Sequence, residues 1–376
     1  MSKKLDSLLE SFQKKYKVTI QSATDACKAD RLTLDSPGLN FALGGGFVPG
    51  RVYHLQGPES GGKSTLSTYI ASQVQKHYTG KNTVVYVDFE YTFDDSHARE
   101  MGLDTENNFI LLRPLNGEDG FDMIMQLVDT GEIGLVIIDS TTTISSKAQV
   151  EDWQKATFGG QAKVLSDGLR TLNPHLYNNK CSLILISQER ASMSMYGADF
   201  KATGGYAPKY YSSWMARVTR TGDIVDPQTK ELVGIEMRVR NIKNKIGIPK
   251  RDATLKLYFN GGIRSDDEYI DYLKALGLVE QKGAYYSNPD WVSDSGVPGM
   301  KVCGLEAVKD WLHDNPKMYE KVKVMVNERI AGHNSIDEEE SVEDVEDPQF
   351  TAELPAVMVD GVPTPTFDED VIFGQR

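Results

Sequence analysis

Cysteine is scarce in this chain of 376 residues, and no long apolar run occurs in it. The three cysteines, Cys27, Cys181 and Cys303, are far apart and form no Cys-x-x-Cys pair, which argues against a disulfide framework and a zinc site. No stretch of roughly 18 apolar residues is present, and the N-terminal residues lack the apolar segment of a secretory leader. We therefore expect a cytoplasmic protein with no membrane partner.

An excess of basic charge is also absent, since the net charge is −13. That charge is uneven: residues 335–376 hold 13 acidic residues against one base, Arg376, and so carry −12. Residues 1–334 are left with −1, and a local basic face can still exist on them. The acidic segment has no helical or strand period and contains four prolines, so we predict a disordered tail.

Short β-rich runs alternate with helix-length spacers in the first half of the chain. This pattern predicts an α/β domain with a mainly parallel sheet. The runs are Arg51–Gln56, Thr83–Phe89, Phe109–Arg113, Gly134–Asp139 and Ser182–Ser187. Two later runs, Ile235–Asn241 and Thr254–Phe259, alternate polar and apolar residues and indicate edge strands or a hairpin.

Helical patterns flank this region at both ends. At the N-terminus an apolar helical stripe, which could pack on its own domain or on a second subunit, is formed by Leu5, Leu8, Leu9, Phe12 and Tyr16. Beyond residue 264, the runs Glu268–Leu278 and Leu305–Ile330 predict helices, with a small hairpin at Tyr285-Tyr286 between them. Residues 265–334 are therefore predicted to form a small C-terminal domain.

The strongest motif is a phosphate-binding loop. It lies between a predicted strand and a predicted helix that includes Thr65. Its residues complete the pattern G-x-x-x-x-G-K-[ST]: Gly57, Pro58, Glu59, Ser60, Gly61, Gly62, Lys63 and Ser64. Glycines let the backbone surround a phosphate, Lys63 supplies a cation to the β- and γ-oxygens, and Ser64 can hold Mg²⁺. The alternative is a glycine turn with a surface lysine. We predict an ATP site that uses Mg²⁺.

Acidic residues end two of the predicted strands. Asp139 follows an apolar run and is a candidate for the carboxylate on the metal side, although a helix cap would also explain it. Asp88 and Glu90 lie at the end of another strand, and Glu90 is our candidate for activating water. The alternative for Glu90 is an exposed loop acid.

A third strand ends at Ser187-Gln188, where an amide could sense the γ-phosphate or simply cap a loop. Residues 189–205 follow without a clear period, and residues 151–161 form a second segment that mixes bases, aromatics and glycines. This mixture suits single-stranded nucleic acid, although plain surface loops remain the alternative. The candidate DNA-binding residues are Trp153, Lys155, Phe158, Arg190, Lys201, Gly204 and Gly205.

Together these motifs resemble the RecA family of strand-exchange recombinases. The resemblance covers roughly residues 31–334 and includes the order Gly57–Ser64, Asp88-Phe89-Glu90, Ile138-Asp139-Ser140, Ser187-Gln188, Thr203-Gly204-Gly205 and Lys243-Asn244-Lys245. It implies a RecA-like P-loop NTPase core at 31–264, after an oligomerisation helix and linker at 1–30. The small α+β domain at 265–334 and the acidic tail at 335–376 also agree with it.

The resemblance also implies residue roles. Glu90 would activate water, and Gln188 would link the γ-phosphate to the DNA-binding loops, residues 151–161 and 189–205. Lys243 and Lys245 would reach the ATP of the neighbouring subunit in a filament. They belong to a basic cluster that could otherwise be a solvated strand edge: Arg238, Arg240, Lys243, Lys245, Lys250 and Arg251.

Two departures from the family pattern stand out. His97 occupies the position where a tyrosine usually stacks on adenine, and Gly61 replaces a common serine in the phosphate loop. Histidine can still stack, but its titration would make nucleotide affinity more sensitive to pH. These departures indicate a divergent member of the family, for which a phage gene is one source.

The leading hypothesis is a DNA-dependent ATPase that forms helical filaments on single-stranded DNA and pairs it with double-stranded DNA in recombination and repair. Loading or single-strand-binding proteins would be further partners. A hexameric helicase-type ring ATPase on the same core is one alternative, because rings and filaments share nucleotide motifs. A DNA-binding mediator in which ATP acts only as a switch is another.

Overall fold

The computed structural model of the protein describes residues 3–16, 30–152, 159–194, 197–202 and 205–332. In chain order, its strands are β1 (Val52–Gly57), β2 (Thr83–Asp88), β3 (Phe109–Leu112), β4 (Ile133–Asp139), β5 (Ser182–Ser194), β6 (Gly197–Ala202), β7 (Trp214–Val225), β8 (Leu232–Asn244), β9 (Ala253–Tyr258), β10 (Gly262–Ile263), β11 (Glu280–Lys282), β12 (Tyr285–Val292) and β13 (Pro298–Cys303).

The helices described are α1 (Lys3–Tyr16), α2 (Pro37–Leu43), α3 (Lys63–His77), α4 (Asp95–Glu100), α5 (Gly117–Asp129), α6 (Lys147–Glu151), α7 (Gly160–Asn179), α8 (Ala207–Tyr211), α9 (Ser265–Ala275), α10 (Leu305–Asp314) and α11 (Pro316–Gly332). Their boundaries follow local signals. The Ser36 side chain accepts a hydrogen bond from the Leu39 backbone at the start of α2, and Gly44, with φ of 82°, ends that helix.

A single large sheet organises the core, with strand order β10-β9-β8-β7-β1-β5-β4-β2-β3 and β6 paired only to β5. The pairs from β7 through β1, β5, β4 and β2 to β3 are parallel, and β7 through β10 are antiparallel. The prediction of an α/β fold with a mainly parallel sheet is therefore confirmed. Of the two alternatives for Ile235–Asn241 and Thr254–Phe259, the hairpin is observed: β8 and β9 pair antiparallel, and neither is an edge strand because β7 and β10 flank them.

Apolar residues cover both faces of the sheet. One face packs against α3 through an apolar cluster that includes Leu55 and Ile186 of the sheet and Leu66 and Val74 of the helix. The other packs against α5 and α7 through a cluster that includes Leu185 and Leu169. Loops from separate parts of the chain meet at the carboxyl ends of the parallel strands, beyond these apolar clusters.

A third apolar cluster joins α9, α10 and α11 to a small sheet of order β11-β12-β13. The sequence predicted only a hairpin at Tyr285-Tyr286, but β12 pairs on both sides, with β11 and with β13. The predicted helical run Leu305–Ile330 is two helices, because the first ends before Asn315 and Pro316 starts the second. The predicted acidic tail lies outside the described residues.

The expectation of an irregular loop after Gln188 is wrong for the described part of that segment. Strand β5 continues to Ser194 and pairs with β6 in an antiparallel hairpin, from Glu189 opposite Ala202 to Ser194 opposite Gly197. The sequence period was weak there because small residues replace the usual β-branched ones. None of the helices in the described ranges is long and apolar enough to cross a membrane.

Candidate functional site

The phosphate loop joins the end of β1 to the start of α3 and fits tightly against β7. A Cβ atom on Gly57 would lie 2.1 Å from the Val218 carbonyl oxygen, so this position accepts only glycine. A Cβ on Gly62, where φ is +87°, would lie 2.8 Å from Met237 Cε. Gly61 is buried below an exposed rim formed by Pro58, Glu59 and Ser60. The backbone is thus held in a curl at the N-terminus of α3, where amides can bind phosphate.

Lys63 is buried inside this loop. Its Nζ donates hydrogen bonds to the carbonyl oxygens of Gly57, at 3.2 Å, and Pro58, at 2.6 Å. Burial lowers the pKa of Lys63, while the nearby carboxylates, of which Asp139 and Glu90 have the largest effects, oppose that shift. The ammonium group is therefore placed where phosphate oxygens would enter the loop.

Asp139 ends β4 beside the loop and is also buried. The Tyr86 hydroxyl donates a 2.6 Å hydrogen bond to Asp139 Oδ2. Burial raises the pKa of Asp139, and hydrogen bonds from Tyr86 and Ser64 oppose this effect. The Ser64 hydroxyl and the Asp139 carboxylate are hard oxygen donors, the ligand type that Mg²⁺ prefers. These two residues fit the predicted metal site.

Glu90 lies on the other side of Asp139, after the end of β2. The Ser140 hydroxyl donates to Glu90 Oε1, and Gln188 Nε2 lies 3.5 Å from the same oxygen. The side chain is only partly buried, so water can reach it. Glu90 and Gln188, proposed from the sequence as water activator and phosphate sensor, are thus in contact.

Asp88, the other acid at the end of β2, has a different environment. Its carboxylate accepts hydrogen bonds from the backbone N–H groups of Thr92 and Phe93 and forms a 3.1 Å ion pair with Arg113 Nε. All of these contacts stabilise the turn that follows the strand. The geometry favours Glu90 rather than Asp88 as the acid available to a reactant.

His97, in α4, lies beside the start of α3. Its Nε2 is 3.4 Å from Thr65 Oγ1, and its Nδ1 is 4.0 Å from Glu100. Thr65 directly follows Ser64 of the phosphate loop, so the planar ring of His97 can border a nucleotide held by that loop. The structure therefore brings the predicted nucleotide residues together around one loop.

A polar cavity of about 350 Å³ lies beside the start of α7, and the described ends of both segments predicted to bind DNA contribute to its lining. Its lining includes Thr142, Ser145, Gln149, Gly160, Gln161 and Gly205. Gly159 precedes the 20-residue helix α7 and gives it no side-chain cap, and the first N–H groups of a helix have no partner within the helix. Gly205 packs against that turn, since a Cβ on it would lie 3.1 Å from Ala162 Cβ.

The other predicted DNA-binding residues divide into two groups. Arg190 and Lys201 are opposite each other in the β5–β6 hairpin. Outside the described residues lie Trp153, Lys155, Phe158 and Gly204.

Lys243 and Lys245 lie toward the amino ends of the parallel strands, whereas the phosphate loop follows the carboxyl end of β1. The Lys245 backbone bonds to the Ser213 carbonyl, and the Ser213 backbone bonds to the Val52 carbonyl at the amino end of β1. Counted from Val52, the loop begins five residues further along β1, about 16 Å away at ~3.3 Å per residue. Lys243 lies opposite Met215, which pairs with His54, about 10 Å before Gly57 on the same count. Lys243 Nζ donates to the carbonyls of Lys209 and Tyr210. Burial, Lys245 and Lys209 lower its pKa.

The basic cluster around these lysines is not a uniform surface. Arg251 is buried, donates a 2.9 Å hydrogen bond to the Ile330 carbonyl and lies over the Phe41 ring. Arg238 forms a 3.0 Å ion pair with Asp252. Grouping Arg251 with an exposed basic edge was therefore wrong, because it joins the core to α11.

The sequence alone suggested no role for the side chain of Ser140 or of Tyr86. Ser140 directly follows Asp139, and Tyr86 is the one polar side chain within the valine-rich part of β2. A buried tyrosine needs a hydrogen-bond partner, which was a usable signal. The particular partner depends on the pairing of β2 with β4, where Tyr86 lies opposite Ile137.

A phosphate loop after the central parallel strand β1, with acids at the ends of β4 and β2, defines a P-loop nucleotide-binding core. The sequence profile described as the RecA N-terminal domain matches residues 2–264. The chain belongs to the RecA family. This membership places it among the ATP-binding proteins of DNA recombination and repair.

Individual relatives support the same assignment. Protein RecA of Rickettsia bellii is 31% identical over 320 residues, which cover 84% of this chain and 89% of the relative. Protein RecA of Campylobacter lari is 32% identical and covers 88% and 94% of the two chains. That of Acinetobacter baylyi is 29% identical, with 90% and 97% covered. The similarity therefore extends beyond the ATPase core.

Proposed function

We propose that this protein is an ATP-dependent strand-exchange recombinase that assembles into helical filaments on single-stranded DNA and pairs them with duplex DNA. The observation that carries the proposal is the position of Gln188. Its amide contacts Glu90, and the next residue starts the hairpin that belongs to the predicted DNA-binding segment. One strand thus runs from the nucleotide site to the DNA site.

ATP hydrolysis follows from the chemistry of the site. Lys63 and the amides at the start of α3 hold the phosphates, and Ser64 with Asp139 would hold Mg²⁺, which neutralises phosphate charge when bound. Glu90 accepts a proton from water as the water oxygen bonds to the γ-phosphorus. The bond to the bridging oxygen breaks, and ADP and inorganic phosphate leave. His97 would contact the adenine.

DNA binding is supported by the hairpin and the polar cavity beside α7. Backbone N–H groups at Gly160 and the neighbouring turn suit phosphate oxygens, and the cavity places them next to Gly205. In this proposal Arg190 and Lys201 contribute charge from the hairpin, and Trp153, Lys155 and Phe158 contribute from the preceding segment. A backbone contact of this type is independent of sequence, as strand exchange requires.

Self-association is supported by Lys243, Lys245 and α1. The lysines lie toward the amino end of β1, whereas their own phosphate loop follows its carboxyl end, and in the proposed filament they contact the ATP of a second copy. In α1, Leu8 and Phe12 are 48% and 38% exposed, and this apolar stripe suits docking on a neighbouring subunit. Assembly would therefore complete the ATPase site.

Electron microscopy with single-stranded DNA, Mg²⁺ and a non-hydrolysable ATP analogue tests the proposal. We expect helical filaments whose formation needs both DNA and nucleotide. Closed six-membered rings would instead favour a helicase-type enzyme. Filaments without DNA-stimulated ATP turnover would favour a DNA-binding mediator that uses ATP only as a switch. Loading and single-strand-binding proteins would act on filament assembly and can be tested afterwards by addition.

A further inference from the structure

A buried ion pair crosses the central strand directly next to the phosphate loop. Glu189, on β5, bonds to Arg217, on β7, with Nε to Oε2 at 2.8 Å. Strand β1 lies between these two strands, and its Gln56 donates a 3.2 Å hydrogen bond to the other carboxylate oxygen of Glu189. We call Glu189 and Arg217 the spanning pair. The Glu189 side chain is 2% exposed and that of Arg217 is 28% exposed.

The position of Glu189 in the chain is as specific as its contacts. Gln188 precedes it, and successive strand residues point to opposite faces, so Gln188 faces Glu90 while Glu189 faces Arg217. Glu189 is also the first residue of the hairpin register, opposite Ala202. It therefore lies between the nucleotide contact and the candidate DNA-binding hairpin.

A second polar layer lies beneath the spanning pair on the same face of the sheet. His54 Nε2 is 2.7 Å from Ser187 Oγ, which is 2.6 Å from Thr141 Oγ1. These contacts join β1, β5 and the segment after β4. Together the two layers fix the middle of β5, at Ser187 and Glu189, to elements on both sides of it, where the hairpin begins.

We propose that Glu189 and Arg217 are positioning residues that couple the nucleotide state to the DNA-binding hairpin, an inference that rests on the proposed function. With Glu189 fixed across β1, a displacement of Gln188 on contact with the γ-phosphate is passed along β5 to the hairpin. Without the spanning pair, that displacement is absorbed by local rotation of the strand. The Glu189 carboxylate has one of the smaller charge effects on Lys63, after Asp139 and Glu90. The proposed role of the pair is therefore coupling and not contact with ATP.

The test variant is the double substitution Glu189→Gln and Arg217→Gln. It removes the ion pair without leaving one buried charge unpaired, which a single substitution would do. The charge-reversed variant, Glu189→Arg with Arg217→Glu, checks whether the attraction itself is needed. The matched control is Arg220→Gln with Asp223→Asn, which removes an exposed ion pair from the same strand.

Two measurements are made on each full-length variant. The first is ATP turnover with and without single-stranded poly-dT. The second is hydrogen–deuterium exchange of the amides of residues 189–202 with and without a non-hydrolysable ATP analogue. We expect the double variant to retain basal turnover. The factor by which DNA stimulates that turnover should fall about tenfold, a typical size for coupling between sites. Its hairpin should also stop responding to nucleotide, and the charge-reversed variant should recover part of both effects.

Wild-type stimulation and wild-type exchange in the double variant would overturn the inference. An equal loss of basal and stimulated turnover, with weaker nucleotide binding, would also overturn it, because the pair would then be a general structural contact. Failure of the proposed function looks different: the wild-type protein would show no stimulation by DNA. In that case the exchange response of the hairpin in wild type and double variant still decides whether the spanning pair couples it to nucleotide.

Discussion

Gln188 Nε2 lies 3.5 Å from Glu90 Oε1, and this contact joins the middle of β5 to the residue that we expect to activate water. Ser140, which directly follows β4, donates to the same oxygen. Polar groups from three neighbouring strands or their ends thus meet around one carboxylate. Such convergence is expected where parallel strands end together, and it makes Glu90 sensitive to movement of β5.

The substitution Glu90→Gln should abolish most ATP hydrolysis while nucleotide and DNA binding survive. An amide keeps the size and polarity of the side chain but cannot accept a proton, so we expect turnover to fall by roughly 10²-fold or more. Binding of a fluorescent nucleotide and phosphate release are the measurements. The comparison is Asp88→Asn, which should lower the free energy of unfolding because of the lost Arg113 contact. Loss of nucleotide binding by Glu90→Gln would contradict the assigned role.

Lys63→Ala should eliminate ATP turnover, because the loop loses the cation that offsets the charge of the β- and γ-phosphates. Phosphate release in the presence of single-stranded DNA is the measurement. Lys76→Ala is the matched control on the same helix, since Lys76 bonds to Asp35 at the other end of α3. DNA-stimulated turnover that persists in Lys63→Ala would show that the assignment of the loop is mistaken.

Much of the nucleotide site was predictable because its signals are local. The phosphate loop occupies eight consecutive residues, and Asp139 and Glu90 end runs with clear strand patterns. The contacts of Ser140 and the spanning pair depend instead on the register of separate strands. Arg251 shows the same limit, since its partners Phe41 and Ile330 are remote in sequence and a local count of basic residues could not reveal them.

The double substitution Lys243→Ala and Lys245→Ala should leave ATP binding intact but remove turnover that depends on assembly. Both lysines lie toward the amino end of β1, and the phosphate loop follows its carboxyl end, so we expect their effect to cross to a second copy. Mixing this variant with Lys63→Ala gives the decisive measurement, because each variant provides the element that the other lacks. Turnover in the mixture should exceed that of either variant alone. No recovery at any ratio would argue against action between subunits.

Glu268 should make the stability of the protein depend on pH. Its carboxylate is buried, accepts hydrogen bonds from Ser36 Oγ and the Gly38 backbone, and has a second oxygen without a hydrogen-bond partner. Burial raises the pKa of Glu268 to about 7, from an ordinary value of 4.5. The folded protein therefore holds this proton more tightly than the unfolded chain does.

The sign of the effect follows from that difference. The contribution of Glu268 to stability is complete below about pH 4.5 and is lost as the pH rises toward 7, by about 3 kcal/mol at most. Glu268→Gln should flatten this decline and be more stable than wild type at pH 8 in urea unfolding. Glu231→Gln, at an exposed turn, is the control. Equal pH dependence in wild type and Glu268→Gln would contradict the prediction.

The acidic C-terminal segment should weaken DNA binding by competing with phosphate. Residues 335–376 carry −12, whereas residues 1–334 carry only −1. A polyanion on the same chain competes with DNA phosphates for the DNA-binding cations, and this competition weakens DNA binding. Removal of residues 335–376 should therefore strengthen binding, most clearly to duplex DNA, and speed the nucleation of filaments.

Salt distinguishes this competition from other roles of the segment. The Debye length falls from about 10 Å at 0.1 M salt to about 3 Å at 1 M, so the gain from truncation should shrink as salt rises. A variant that keeps the segment but replaces its acids by the corresponding amides should bind DNA as the truncated protein does, because charge rather than length is responsible. If the segment only docks a partner or aids solubility, the binding curves of full-length and truncated protein will overlap even below about 0.1 M salt, where screening is weakest.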